Sequence, residues 1–349
     1  MESIILITQK RVAIWGTGNT SDLYQKCFER ENLQIEFYLD NNADKLGQVY
    51  SAHKVICPND IQQYADRENI ILLVCSGNEN VNQSIIKQIE SMGYEGYPVD
   101  LYLFAKHLDE IIEVIEMLED ERSRNVYYHM IMSRCNNTPI DMEMVDDNQY
   151  FCIQQFMRLE PKEVFVDIGA YVGDSLEEYI WKKHGVLKKT MCIEPDTKNI
   201  VAMNTRIERL IKEWGISEER IQVLQIGIGE KRGFFMLDEL SSGVNGLGSK
   251  FVSENDARGV KREILTLDNL LTEKEDYFIK ADIESFEYGM ILGGRNVISE
   301  FKPKMAICIY HNASDMYQIP LLIKKINPEY KVVIRHHSIE YCETVMYVY

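Results

Sequence analysis

The chain has 349 residues, of which 45% are hydrophobic and 27% are charged, with a formal net charge of −17. This length and composition are typical of a globular protein with two domains. The acidic balance argues against nucleic acid or an anionic membrane surface as the main partner, because no surplus of cations exists to neutralise phosphates.

Two further classes of protein are disfavoured by the residue pattern. No apolar run approaches the roughly 20 residues of a membrane-spanning helix, so no membrane span is expected. The eight cysteines are scattered without a C-x-x-C pair. This favours free thiols in a reducing cytoplasm over disulfides or zinc ligands, and we predict a cytoplasmic protein without a bound metal.

The first predicted elements alternate between short apolar strands and amphipathic helices. The predicted strands and helix are Arg11–Trp15, Ile35–Leu39, Ile70–Cys75 and Val81–Met92. Alternation of this kind is typical of a parallel sheet covered by helices. We therefore predict a small parallel Rossmann-like domain over residues 1–105.

A second nucleotide site is one interpretation of this first domain. Gly16 and Gly18 follow the first strand, and Asp40 ends the second strand about twenty residues later, the spacing of a dinucleotide fingerprint. Ser21 replaces the third glycine of that fingerprint. The alternative is a domain that only packs or dimerises. Through VAIWGTGN and FYLDNN, the stretch resembles the N-terminal Rossmann-like domains of bacterial sugar-modifying enzymes.

The next stretch, residues 106–150, is predicted to be a helical connector. Leu108, Ile111, Ile112, Ile115 and Leu118 recur on one helical face. The charged residues that follow are interpreted as solvated surface.

A stronger glycine turn opens the second domain, predicted over residues 151–349. The stretch EVFVDIGAYVGDS reads as a strand ending near Asp167, a turn with Gly169 and Gly173, and a helix. Such a turn brings backbone N–H groups close to a ligand. A second strand ends at Glu194, where a carboxylate can hydrogen-bond ribose hydroxyls.

Polar residues recur after the predicted strands of this domain, where parallel α/β sheets bind ligands. Those residues are Asp167, Glu194, Gly227, Asp282 with Glu284, His311, and His336 with His337. Gly227 lies in a third strand, predicted over Ile221–Ile228. The glycine-rich stretch between Glu230 and Lys250 is predicted to be a lid or substrate loop.

These motifs together resemble the FkbM-type methyltransferases, which use S-adenosylmethionine and have a seven-stranded sheet. The matching stretches are VFVDIGAYVGDS, CIEPD, LTLDNLL, FIKADIESFEYGMILGG and KPKMAICIYH. The resemblance implies a class I methyltransferase fold and a donor site whose predicted residues are Asp167, Gly169, Tyr171, Gly173, Asp174, Ser175, Glu194, Pro195, Gly227 and Asp282. Ser285 and Phe286 stand where the family usually has Gly and a small residue, which concerns the acceptor pocket.

His311 is the preferred candidate for the general base that removes the acceptor's proton, because imidazole titrates near neutrality. Asp282 is the second catalytic candidate, as base or as the group that orients His311 or the acceptor. His336 and His337 are interpreted as structural residues.

We therefore predict an S-adenosylmethionine-dependent methyltransferase acting on a hydroxyl of a saccharide, nucleotide-sugar or related small molecule, in the manner of polysaccharide biosynthesis. Two alternatives remain open. One is an NAD(P)-dependent oxidoreductase that uses the N-terminal glycine turn, and the other is a non-catalytic nucleotide-sugar-binding protein. The sequence leaves the oligomeric state open, with a homodimer as one option.

Overall fold

The computed structural model describes residues 10–238, 250–252 and 259–349 and confirms the predicted α/β class. The chain divides into two compact units. The first consists of Met1–Val145, Tyr310–Gln318 and Ser338–Glu343, and the second of Asp146–Ile309, Ile319–His337 and Thr344–Tyr349. The domain boundaries proposed at residues 105 and 150 stay predictions. Among the described residues, no helix is both long and apolar enough to cross a membrane.

The first unit contains a six-stranded, mostly parallel sheet. Its strands, in the order β3-β4-β2-β1-β5-β6, are β1 Arg11–Trp15, β2 Ile35–Leu39, β3 Val49–Tyr50, β4 His53–Ile56, β5 Ile70–Val74 and β6 Glu95–Pro98. Its helices are α1 Asn19–Arg30, α2 Glu79–Ser91, α3 Val99–Lys106, α4 Leu108–Met117 and α5 Glu121–Asn136. The antiparallel β3–β4 pair was not predicted. The parallel core was predicted correctly, because its strands are continuous apolar runs.

The second unit contains the predicted seven-stranded sheet. Its order is β16-β17-β15-β14-β7-β8-β9, formed by β7 Val164–Ile168, β8 Lys189–Ile193, β9 Ile221–Leu224, β14 Tyr277–Ala281, β15 Lys304–Cys308, β16 Val332–His336 and β17 Thr344–Val348. Strand β17 runs antiparallel to both of its neighbours. The other pairs are parallel, and β7 and β14 are buried along their whole length. Burial on both faces explains why these strands read as apolar runs.

Helices of 4 to 18 residues follow or join these strands. They are α6 Gln154–Met157, α7 Asp174–Lys182, α8 Thr197–Trp214, α9 Leu267–Leu270, α10 Glu287–Leu292 and α11 Asp315–Ile326, with a π-helical turn at Val297–Phe301. The ring of Tyr179 in α7 stacks on Phe165 of β7, with centroids 4.2 Å apart. This contact fixes the helix that follows the glycine turn against the sheet.

A second, four-stranded sheet in this unit was not predicted. It contains β10 Gly227–Ile228, β11 Gly233–Asp238, β12 Lys250–Val252 and β13 Val260–Leu265, in the order β10-β13-β11-β12. The strand predicted over 221–228 is therefore wrong, because the chain leaves the main sheet after Leu224 and Gly227 begins a strand of the second sheet. Within the stretch predicted to be a lid, Gly233–Asp238 form strand β11 and Lys250 begins β12, whereas 239–249 lie outside the described residues.

Candidate functional site

The glycine turn, Glu194 and Asp282 follow three neighbouring parallel strands. Ile168 of β7 pairs with Ile193 of β8 and with Ala281 of β14. The next residues continue the register, since Gly169 N donates to Ile193 O at 3.0 Å and Asp282 N donates to Ile168 O at 3.0 Å. The site residues that follow these strands therefore lie side by side at one edge of the sheet, as predicted from their positions.

Gly169 allows the backbone of the turn to approach the end of β14. Its φ is +77°, and a Cβ atom at this position would lie 1.9 Å from the carbonyl oxygen of Asp282. Tyr171 also has a positive φ, of 45°, and its side chain is 37% exposed. Gly173 precedes α7, whose first two residues are the predicted donor contacts Asp174 and Ser175. The absence of a side chain at Gly169 therefore lets the backbone of the turn lie directly against the end of β14.

Glu194 is held by the turn and by the start of α8. Its Oε2 accepts a hydrogen bond from Tyr171 N at 3.0 Å, and its Oε1 accepts from Asp196 N at 2.9 Å and Asn199 Nδ2 at 3.2 Å. The side chain is only 6% exposed. Burial raises the pKa of Glu194 although these three donors oppose the shift. The carboxylate is fixed in position, with lone pairs left to accept further hydrogen bonds.

Asp167 is fully buried and forms an ion pair with Lys280 of β14. Lys280 Nζ lies 3.1 Å from Asp167 Oδ1 and donates to the carbonyl oxygen of Gly169 at 2.7 Å. Burial raises the pKa of Asp167 to about 6, against the opposing effect of Lys280. Asp167 was predicted to bind the donor. Its burial favours support of the turn through Lys280, a residue that the sequence analysis missed.

Tyr150 is a second residue that the sequence analysis missed. Its hydroxyl donates to Asp282 Oδ2 at 3.1 Å, and Lys280 Nζ lies 5.4 Å from the centre of its ring. A lysine within the apolar run of β14 is a signal for Lys280 that could have been recognised. Tyr150 lies 132 residues from Asp282 in the chain, and nothing in the sequence indicates that they meet.

Two other predicted donor residues have different surroundings. Pro195 follows Glu194, and its carbonyl oxygen accepts from Arg262 Nε at 2.8 Å. Gly227 lies in β10 of the second sheet, where a Cβ atom would lie 2.7 Å from the ring of Phe235. The prediction that Gly227 belongs to a strand of the seven-stranded sheet is wrong. A glycine is favoured at this position because a larger residue would collide with the ring of Phe235.

The predicted catalytic residues belong to different units: Asp282 to the second and His311 to the first. His311 is buried, and its ring centroid lies 4.2 Å from that of Tyr310. His336 Nδ1 contacts Thr344 Oγ1 at 2.9 Å. His337 contacts Tyr347 Oη at 3.0 Å through Nε2, and burial lowers its pKa. These contacts fit the structural interpretation of His336 and His337.

The carboxylate of the proposed N-terminal nucleotide site is engaged within its own unit. Asp40 Oδ2 accepts from Thr17 N at 3.1 Å, from Thr17 Oγ1 at 2.5 Å and from Lys45 Nζ at 3.2 Å. Gly16 has a φ of +121°, and a Cβ atom there would lie 2.6 Å from the carbonyl oxygen of Cys75, whereas a Cβ at Gly18 would meet open space. These contacts give Gly16 and Asp40 structural roles, and a nucleotide site there stays a prediction.

Comparisons with known proteins identify the domain around the glycine turn. Residues 167–333 match the methyltransferase FkbM domain, and residues 8–99 match the C2185-like N-terminal domain. No curated protein matches the chain. An FkbM methyltransferase from Methylobacillus flagellatus is 19% identical, covers 99% of this chain and 92% of its own, and superposes with a TM-score of 0.58. This similarity supports the fold.

Other solved methyltransferases are more distant. An rRNA methylase from Streptococcus thermophilus covers 58% of this chain and 97% of its own, with 11% identity and a TM-score of 0.34. A putative methyltransferase from Streptococcus mutans in complex with SAH covers 66% and 98%, with 10% identity and a TM-score of 0.29. These scores are too low to support an argument. The match to the methyltransferase FkbM domain over residues 167–333 agrees with the glycine turn, and the similarity to the solved FkbM methyltransferase agrees with the fold.

Proposed function

We propose that the protein transfers a methyl group from S-adenosylmethionine to a hydroxyl group of a saccharide, nucleotide-sugar or related small molecule. The observation that carries the proposal is the fixed carboxylate of Glu194 beside the glycine turn, at the carboxyl ends of adjacent parallel strands. Ligands of open α/β sheets bind at these ends, and an acidic residue after the second strand binds ribose hydroxyls.

In this proposal the turn from Gly169 to Gly173 approaches the donor through its backbone, and Glu194 accepts hydrogen bonds from the ribose. Lys280, paired with Asp167, stabilises the turn by donating a hydrogen bond to the carbonyl oxygen of Gly169. Methyl transfer from a sulfonium is a displacement in which the protein mainly orients the reactants and excludes water. S-Adenosylmethionine supplies the electrophilic methyl group.

The acceptor hydroxyl must lose a proton, and His311 is proposed as its general base. Asp282 is proposed to orient the acceptor, because carboxylate oxygens accept hydrogen bonds from hydroxyl groups. The hydroxyl of Tyr150 fixes one of these oxygens at 3.1 Å. The net charge of −17 supports a small-molecule or glycan acceptor over a nucleic acid.

Calorimetric titration with S-adenosylmethionine, S-adenosylhomocysteine and NADH tests the cofactor. We expect the first two ligands to bind and NADH not to bind. Glu194→Ala should lower the affinity for S-adenosylmethionine roughly 10- to 100-fold, because loss of a hydrogen bond to a charged group has an effect of this size. Glu213→Ala is the matched control, since Glu213 is an exposed residue near the other end of α8 that pairs with Arg209. Binding of NADH alone would refute the proposal.

A second experiment tests the acceptor and the base. Transfer of a tritiated methyl group to a panel of nucleotide-sugars and free saccharides would identify the acceptor class. His311→Ala should lower the rate of transfer and leave the affinity for S-adenosylmethionine unchanged. Normal turnover by His311→Ala would eliminate the histidine as general base.

A further inference from the structure

The segment that carries His311 is held by two arginine residues of the first unit. Tyr310–Gln318 belongs to this unit together with Met1–Val145. Arg134 contacts the residue before His311, and Arg30 contacts three residues that follow it. We propose that Arg30 and Arg134 are positioning residues for His311, an inference that rests on the proposed role of this histidine as general base.

Arg30 is the last residue of α1, and one nitrogen of its guanidinium group donates hydrogen bonds to three acceptors. Its Nη2 donates to Ser314 Oγ at 2.7 Å, to Asp315 Oδ1 at 2.9 Å and to Asn312 Oδ1 at 3.3 Å. The side chains of Asn312, Ser314 and Asp315 are fully buried. A buried carboxylate needs a partner of opposite charge, and Arg30 supplies it for Asp315. This cluster fixes the chain on the carboxyl side of His311.

The same residues also bond to one another. Asn312 Nδ2 donates to Asp315 Oδ2 at 2.6 Å, and Ser314 Oγ donates to Asn312 Oδ1 at 2.7 Å. The three side chains therefore hold the turn after His311 in one shape. Arg30 attaches this turn to α1, because its guanidinium reaches all three of them.

Arg134 fixes the chain on the amino side of His311. It lies in the last turn of α5, is buried, and donates through Nη1 to the carbonyl oxygen of Tyr310 at 3.1 Å. Its other nitrogens donate to Asp100 Oδ2 at 2.7 Å and to Tyr24 Oη at 2.8 Å. Since Asp100 and Tyr24 also bond to each other, the guanidinium has a fixed orientation.

The hydrogen bonds of Arg134 and Arg30 thus attach the chain on both sides of His311 to the rest of the first unit. A general base must be held within a fraction of an ångström of its proton, and small displacements cost large factors in rate. Through Arg30 and Arg134, the first unit is thereby given a positioning role for the proposed general base.

Nuclear magnetic resonance and hydrogen exchange test the inference without a known acceptor. The imidazole signal of His311 is assigned by its loss in His311→Gln. We expect Arg30→Met to shift or broaden this signal and to speed amide exchange in 310–318 about tenfold or more, because a charge-assisted hydrogen bond is lost. The affinity for S-adenosylmethionine should stay unchanged. Arg30→Lys, which keeps the charge, should restore part of the signal.

Arg124→Met is the control for the loss of an arginine from the first unit, because Arg124 donates to the carbonyl oxygen of Leu118, outside the His311 segment. It should leave the His311 signal unchanged. If Arg30→Met does not fold, Ser314→Ala removes the contacts of Ser314 with Arg30 and Asn312, keeps the ion pair of Arg30 with Asp315, and should give a smaller shift of the same kind. An unchanged His311 signal in a variant that binds S-adenosylmethionine overturns this inference, whereas absence of S-adenosylmethionine binding to the wild type overturns the proposed function.

Discussion

The ion pair beneath the glycine turn makes a quantitative prediction for Lys280→Met. Methionine has a similar length and no charge, so the variant leaves Asp167 buried without its cation. Asp167 is fully buried and the Lys280 side chain is 4% exposed. Removing one partner of a buried ion pair costs about 3–5 kcal/mol. We therefore expect the free energy of unfolding to fall by about this amount near neutral pH.

The pH dependence separates this mechanism from simple loss of packing. The pKa of Asp167 is raised to about 6 in the wild type, and loss of Lys280 should raise it further. Below this pKa the folded protein holds a neutral carboxyl group, so the cost of the buried charge disappears. Because the folded pKa is raised, this contribution to stability is present at low pH and is lost as the pH rises. The loss in Lys280→Met should thus be larger at about pH 8 than at about pH 5.

Urea unfolding followed by circular dichroism at both pH values measures the loss. Lys302→Met is the control. Lys302 pairs with Glu329 on the surface, so this substitution should change the free energy of unfolding little. Addition of Asp167→Asn to Lys280→Met should recover part of the stability, since the uncompensated charge is gone. Equal losses at both pH values, or no recovery in the double variant, would refute the argument.

Three other substitutions follow from single contacts. Gly169→Ala should abolish S-adenosylmethionine binding in calorimetry, because its Cβ would lie 1.9 Å from the carbonyl oxygen of Asp282. Tyr150→Phe should lower the free energy of unfolding in urea by about 1 kcal/mol, because it removes the hydrogen bond to Asp282. His107→Gln should lower the melting temperature most below about pH 6.5. Burial lowers the pKa of His107, but the hydrogen bonds and negative charges of Glu31 and Glu110 together outweigh burial and raise the pKa. The stabilisation is therefore lost as the pH rises.

The controls for these variants use residues with different surroundings. Gly215 also has a positive φ, but a Cβ atom added there would have no described atom within 4 Å. Gly215→Ala should therefore lower the free energy of unfolding by about 1–2 kcal/mol and keep donor binding. His53→Gln is the control for His107, because Nδ1 of His53 contacts a backbone carbonyl oxygen, that of Ser51, instead of a carboxylate. Donor binding by Gly169→Ala, a stable Tyr150→Phe, or a pH-independent effect of His107→Gln would contradict the reasoning.

The sequence was sufficient for the features that depend on local pattern. Apolar runs identified β7, β8 and β14 because strands buried on both faces have no polar side, and Gly169 marked the tight turn. The same reasoning failed between Ile221 and Ile228. An apolar run does not indicate whether one strand continues or the chain moves to another sheet, and here it moves after Leu224.

The contacts that support the turn could not be predicted, because they join residues far apart in the chain. Lys280 meets Gly169 across 111 residues, and Tyr150 meets Asp282 across 132. Such pairs are determined by strand order and register, which a single sequence does not specify. The contact between Arg30 and the His311 segment is still harder to predict, since Arg30 and Ser314 are separated by 284 residues.

Glu194 illustrates why binding and stability must be measured in the same variant. Its carboxylate is proposed to accept the ribose hydroxyls, yet it also accepts three hydrogen bonds from the protein, among them the N–H of Tyr171 in the turn. Glu194→Ala leaves these buried donors without their acceptor, so the turn should loosen as the ribose contact is lost. Glu194→Gln retains one oxygen and should lose less stability. If both variants lose S-adenosylmethionine affinity equally while only Glu194→Ala is destabilised, the ribose contact needs the charged carboxylate. If affinity follows stability instead, Glu194 acts mainly by shaping the turn.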